Sequence, residues 1–222
     1  TVVKGGGTEF NASTPLTGDI TVYAKWIPDY VPGDTGPAGG IVFYDKGKYR
    51  DGWRFMEAAP SDVTSEFNPT WEYQHIFGLY RTEADGVNLA VGTGTAIGTG
   101  KANTEALVNA MGTTAYYVDD DSAVNTEYYA ARTCSLYEYG GYADWFLPSK
   151  DELNAMYENL YDIEVPIGNF TDTFYWSSSE YPNAPGYGNS PFYVCIQNFQ
   201  NGNSLMNPRQ QSMYRVRPAR VF

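Results

Sequence analysis

Histidine is almost missing from this chain. His75 is the only one in 222 residues, which leaves histidine-built metal centres and Ser-His-Asp chemistry without their parts. Cysteine is scarce too. Cys134 and Cys195 are too few for a zinc site, and their positions leave open whether they form a disulfide. No apolar run reaches the roughly 18 residues of a membrane span, and no signal peptide is visible. Thr1 is not a translation start, so the sequence is expected to be a trimmed piece of a longer chain. Charged residues make up only 18%. The 14 Lys and Arg stand against 26 Asp and Glu, giving a net charge of −12. That balance disfavours nucleic acid as a partner, because phosphate binding needs cations. Acid is itself absent from the last 42 residues, which carry Arg209, Arg215, Arg217 and Arg220. Arginines spaced along a terminal strand are expected to pair with carboxylates of the body, with a basic groove as the lesser reading.

What fills the gap is tyrosine (20), glycine (23), proline (13) and abundant Asn, Ser and Thr. At 42% hydrophobic residues the chain can build a core, and its length suits one large domain or a domain with a small appendage. Strand patterns run over Gly40–Tyr44, Trp53–Ala59, Phe174–Glu180, Pro191–Phe199 and Tyr214–Pro218, with Asn201-Gly202 as a hairpin turn. Helices are expected over Ala102–Met111, stopped by Gly112, and over Ala123–Tyr137. A third opens at Ser149, where Ser149 and Glu152 form a capping box ahead of the stripe Leu153, Met156, Tyr157 and Leu160. Residues 60–100 read as long loops with short strands. Strands at both ends with helices between predict an α+β fold. Residues 28–38, rich in Pro and Gly, read as a linker between a β-rich segment at 1–27 and a main domain at 39–222.

Several motifs invite chemistry. Gly94–Lys101 suggests a phosphate loop but has Thr95 where the first Gly is required and Ala102 where Ser or Thr is required. Asp119-Asp120-Asp121-Ser122 offers oxygen ligands for calcium but lacks an EF-hand's Gly and distal Glu, and reads first as a solvated helix N-terminus. Glu57, Asp62, Glu66, Asp144, Asp151, Glu152 and Glu180 are candidate catalytic acids, with no spacing that selects a pair. Cys134 lacks an evident base and reads as a buried thiol. The aromatic groups Trp145-Phe146 and Tyr175-Trp176 read as core. The stretch 181–214 stands apart: it is rich in Tyr, Asn, Ser, Gly and Pro, free of acid and lysine, and has the composition of a paratope. An ordinary polar hairpin is the plainer reading.

The segment from Thr8-Glu9-Phe10 to Tyr23-Ala24-Lys25-Trp26 resembles the end of an internalin-type B-repeat. Gly33–Tyr44, Gly52–Pro60, Ile97–Thr104, Tyr142–Asn154, Tyr175–Glu180 and Arg215–Phe222, in that order, resemble the Lcl-type C-terminal domain, related to the Fibrobacter major paralogous domain. The resemblance covers roughly 33–222. It implies a C-type-lectin-like fold of the formylglycine-generating-enzyme branch, with helices packed on antiparallel sheets, and extracellular binding in place of catalysis. The calcium-dependent sugar motifs of true C-type lectins and the cysteine arrangement of the formylglycine enzymes are not evident here.

Some proteins with this fold are variable proteins of diversity-generating retroelements. Changes at the adenines of an AAC codon yield Asn, Ser, Pro, Phe, Tyr, Val, Cys and Ile among others, and never Met, Lys, Glu, Gln or Trp. Asn189–Ile196 uses only reachable types. Family members often carry Trp near Cys195, so that residue reads as a substitution. Phe199, Gly202, Arg215, Val216 and Arg217 would hold the scaffold.

The resulting expectation is a module on a bacterial cell surface or outside the cell. It would present Tyr181, Asn183, Tyr187, Asn189, Phe192, Tyr193, Asn203, Leu205, Asn207, Arg209 and Tyr214 to a protein or glycan on another cell or host surface. No cofactor or metal is invoked. The alternatives are a carbohydrate-active or formylglycine-type enzyme, which requires a deep pocket with a perturbed carboxylate or thiol, and a structural stalk-end domain.

Overall fold

The computed structural model describes Pro15, Gly18 and residues 29–65, 72–78, 91–113, 115–119, 122–181, 193–208 and 213–222, with backbone alone for 115–119 and 122–126. The segment expected as a B-repeat fragment lies outside these residues apart from Pro15 and Gly18. The architecture is α+β. β1 (Ile41–Arg50) and β2 (Trp53–Ala58) form an antiparallel hairpin, and β3 (His75–Ile76) is short. Then come α1 (Gly100–Met111), β4 (Ala115–Asp119), β5 (Ser122–Thr126), α2 (Ala130–Ser135) and α3 (Lys150–Met156). A π-helical turn, Tyr157–Tyr161, extends α3. The chain ends with β6 (Phe174–Glu180), β7 (Tyr193–Asn198), β8 (Ser204–Pro208), β9 (Met213–Tyr214) and β10 (Ala219–Val221). The sheets are β1-β2-β10, β6-β7-β8, β3-β9 and β4-β5, all antiparallel.

Two hydrophobic clusters share β6 as a wall. Successive side chains of a strand point to opposite faces, so Trp176 joins Ile76, Phe77, Leu107, Cys134, Val194 and Ile196. Tyr175 joins Phe43, Met56, Phe146, Leu153, Leu160 and Phe199 on the other side. The Trp176 indole N–H donates to the His75 carbonyl at 2.7 Å, so the largest core side chain leaves no orphan donor.

Two expectations are corrected. The helix expected over Ala123–Tyr137 is the β4–β5 hairpin followed by the short α2, which keeps only the buried face Ala130, Ala131 and Cys134. The pairing partner Ala115–Asp119 lies only a few residues earlier in the chain, and helical spacing alone does not reveal it. The terminal strand expected over Tyr214–Pro218 is split. Arg215 bridges Tyr175, and the paired strand is Ala219–Val221. Pro218 has no N–H to give a ladder.

The other elements fall close to expectation. Ser149 caps α3 with both reciprocal bonds of the capping box present, and Gly112 ends α1 at φ 55°. The described part of the expected linker, residues 29–38, is tied into the domain. Gly33 N–H donates to the Val42 carbonyl at 2.8 Å, and Ala38 and Gly40 N–H donate to Glu57. Tyr30 packs edge-on against Phe55 and Phe222, and Asp29 pairs with Arg54 at 2.7 Å. Arg54 and Phe55 N–H both donate to the Phe222 carbonyl.

Candidate ligand-binding surface

The acidless tail is anchored by its arginines. Arg217 is fully buried, donating from Nη2 to Asp62 at 2.6 Å and stacking over Phe170 at 4.0 Å. Arg215 reaches the other oxygen of Asp62 at 2.8 Å, which also accepts from the Tyr175 hydroxyl at 3.0 Å. Arg220 donates to buried Glu57 at 2.9 Å and to Asp144. Burial raises Glu57 above the ordinary carboxylate range, and Arg220 with the Ala38 and Gly40 N–H groups opposes that rise. The pairing expected for these arginines is what the structure contains, so they form no free basic groove.

The candidate catalytic carboxylates are occupied. Glu152 accepts from Gly98 N–H at 2.8 Å, Gly100 N–H at 3.3 Å and Ser149 N–H at 2.7 Å. Burial raises its pKa against those donors. The glycine-rich loop is thus a cradle for a protein carboxylate: a Cβ on Gly100 would stand 2.1 Å from Glu152 Oε2. Glu180 accepts from Val91 and Gly92 N–H, and Asp151 pairs with Lys150. Glu66 lies outside the described residues.

The thiols are both free and buried. Burial raises both, Cys195 to about 11, which makes each a poor nucleophile. Among the described residues no His, Cys, Asp and Glu gather as a metal site. Asp119 and Ser122 flank the β4–β5 turn, so the helix N-terminus expected there is a hairpin, and Asp120 and Asp121 lie outside the described residues.

The sequence-selected ligand residues divide three ways. Asn183, Tyr187, Asn189, Phe192 and Arg209 lie outside the described residues. Tyr181, Tyr193 and Tyr214 are half-buried. Tyr181 closes β6 by donating its N–H to the Tyr193 carbonyl at 2.8 Å. Tyr214 packs on Phe174 and Trp176 and accepts a hydrogen bond from the Asn207 side chain, so this pair serves the scaffold as well as the surface. Asn203 and Leu205 are exposed. Met206, which sequence reasoning passed over, is 37% exposed beside Leu205 at 46%.

Leu205 pairs with Ile196, and Met206 with Cys195. Leu205 therefore continues the Trp176 face of the sheet and Met206 the opposite face. β8 is the edge strand of its sheet, and neither residue joins a buried cluster among the described residues. By contrast Val194, Cys195 and Ile196, inside the run that fits adenine-directed variation, are at most 3% exposed. Those three face the interior, and their diversification would act on packing. No helix among the described residues is long and apolar enough to cross a membrane. No protein-family model matches the chain, and no curated protein matches it.

Proposed function

We propose that this chain is a surface-displayed binding module with a C-type-lectin-like scaffold. It engages a protein or glycan through β8 and the flanking parts of 181–214. The observation that carries the reading is the exposure of Asn203–Met206, with two large apolar side chains, on a strand paired to one that is almost wholly buried. Each face of β8 thus offers one large exposed apolar side chain on a hydrogen-bonded strand, which suits recognition. The occupation of Glu57, Asp62, Glu152 and Glu180 by internal partners supports binding over catalysis.

Retroelement diversification is part of the same proposal. It requires a near-copy of the gene's 3′ end, differing mainly at adenines within the codons for 181–214, beside a reverse-transcriptase gene. Sequencing the flanks tests it, and a copy lacking adenine differences rejects it. Binding is tested by glycan-array and cell-surface capture with the native chain and Leu205→Ser/Met206→Ser. Loss of capture at unchanged Tm is the expected result. Equal capture by both proteins rejects β8 as the contact.

A further inference from the structure

A second candidate surface lies on the turn after α2, beside the loop that precedes β1. Tyr139 and Tyr142 exchange backbone hydrogen bonds at 3.0 and 3.1 Å across Gly140 and Gly141, whose φ values are 61° and 81°. Two consecutive positive φ values make the tightest hairpin connection, and glycine is the residue that supplies them. The turn is pressed onto the loop before β1: a Cβ on Gly140 would stand 1.9 Å from the Ala38 carbonyl oxygen. Ala38 is in turn held by Glu57, and Glu57 by Arg220. The tyrosines therefore project from a fixed frame and not from a free loop.

A cleft of about 450 Å³ opens here, lined by Glu138, Tyr139, Gly140, Gly141, Tyr142 and Ala143. Tyr139 is 41% exposed and lies parallel to Tyr137, with ring planes 11° apart. One face of Tyr142 already carries a cation, the Arg220 guanidinium 3.8 Å from the ring centroid. Glu138 is exposed and makes no ion pair among the described residues. Its cationic neighbour across the adjoining cleft, Arg132, is paired with Glu127 at 2.7 Å. The cleft lining thus holds two tyrosine rings, each with one face already engaged, beside a carboxylate with no ion pair among the described residues, on a chain of net charge −12. An anion would be repelled, and a purely apolar ligand would gain nothing from Glu138.

We propose that this cleft binds a free organic ammonium cation, held over the tyrosine faces by cation–π attraction with Glu138 as counter-charge. The site is independent of the β8 surface.

The test is a titration of choline into the full chain at low ionic strength, followed by the tyrosine ring resonances in NMR. The neutral tert-butyl isostere of choline serves as the control. The expected result is saturable binding with Kd on the order of 1–10 mM, no saturation by the isostere, and at least a roughly fivefold loss in Glu138→Gln and in Tyr139→Leu. Leu205→Ser is expected to bind choline as the native chain does. Equal binding of choline and its isostere, absence of saturation, or unchanged affinity in Glu138→Gln overturns the proposal. Glu138→Gln alters one exposed side chain, so its result does not depend on a disturbed fold.

Discussion

Within the acid-free tail, β7 with Arg215–Arg220 and β8 each mix apolar and polar residues and meet opposite fates. In β7, Val194 to Asn198 are buried, including Gln197 at 1% and Asn198 at 7%. In β8, Ser204, Leu205 and Met206 are exposed although two of them are apolar. Cross-strand neighbours sharpen the contrast: Ile196 is 1% exposed and its partner Leu205 is 46%. Hydropathy does not separate these strands. What separates them is cover: β7 is the central strand of the β6-β7-β8 sheet and gives Val194 and Ile196 to the Trp176 cluster, and β8 is the edge strand. Most polar groups of the covered strand find partners, although the Gln197 side-chain carbonyl oxygen is buried without one among the described residues. The Gln197 amide donates to Asn154 and to the Gly202 carbonyl, and Ser177 donates to the Cys195 carbonyl.

The largest break in this contrast comes from Arg217→Met. It leaves Asp62 buried with only Arg215 and Tyr175, and a cost of about 3–5 kcal/mol is expected in chemical denaturation. Adding Asp62→Asn removes the stranded charge, and the double variant is expected to recover part of that loss. Ile196→Ala comes next, at about 2–5 kcal/mol for a buried aliphatic truncation. Leu205→Ala, directly across the ladder, is expected within about 0.5 kcal/mol. If the two cost the same, β8 is covered in solution and the contrast fails.

The seam between the two regions is pH-sensitive. His75 pairs with Tyr214 in the β3–β9 ribbon and is fully buried. Burial pushes its pKa down to about 4, against the Val63 carbonyl and Asp62. The unfolded chain takes up this proton at higher pH than the folded one. Its contribution is therefore intact above about pH 6.5 and falls as pH drops toward 4, by about 3 kcal/mol in all. Glu57 and Glu152, whose pKa values are raised, act in the opposite sense and gain on acidification. A Tm series over pH 4–7 in His75→Leu isolates the histidine: a flatter acid limb than the native chain's is expected. The smallest effect is that of Met206→Ser, expected to leave Tm unchanged while weakening ligand capture.

Local chemistry was legible and cover was not. The Ser149–Glu152 box, the Gly112 stop and the bounds of β6 follow from neighbours in sequence, and the structure contains all three. That the tail arginines would find carboxylates followed from charge asymmetry. Which carboxylates did not, because Asp62 lies 155 residues before Arg217. The Ala123–Tyr137 error is a local one: Ser122–Thr126 pairs with the neighbouring Ala115–Asp119, which helical spacing did not show. The observed register puts Leu205 and Met206 on opposite faces, and nothing local in the sequence said that both would stay exposed.

The packing of Tyr30 between Phe55 and Phe222 has a mechanical consequence. Tension drawn along the chain from residue 29 reaches β2 and the final residue together, because Phe222 is bonded to Arg54 and Phe55. The pull enters at the central strand of the β1-β2-β10 sheet, on the side of the molecule built around Phe43, Met56 and Phe146. The β7–β8 hairpin belongs to a separate sheet, β6-β7-β8, so that load does not run along its ladder.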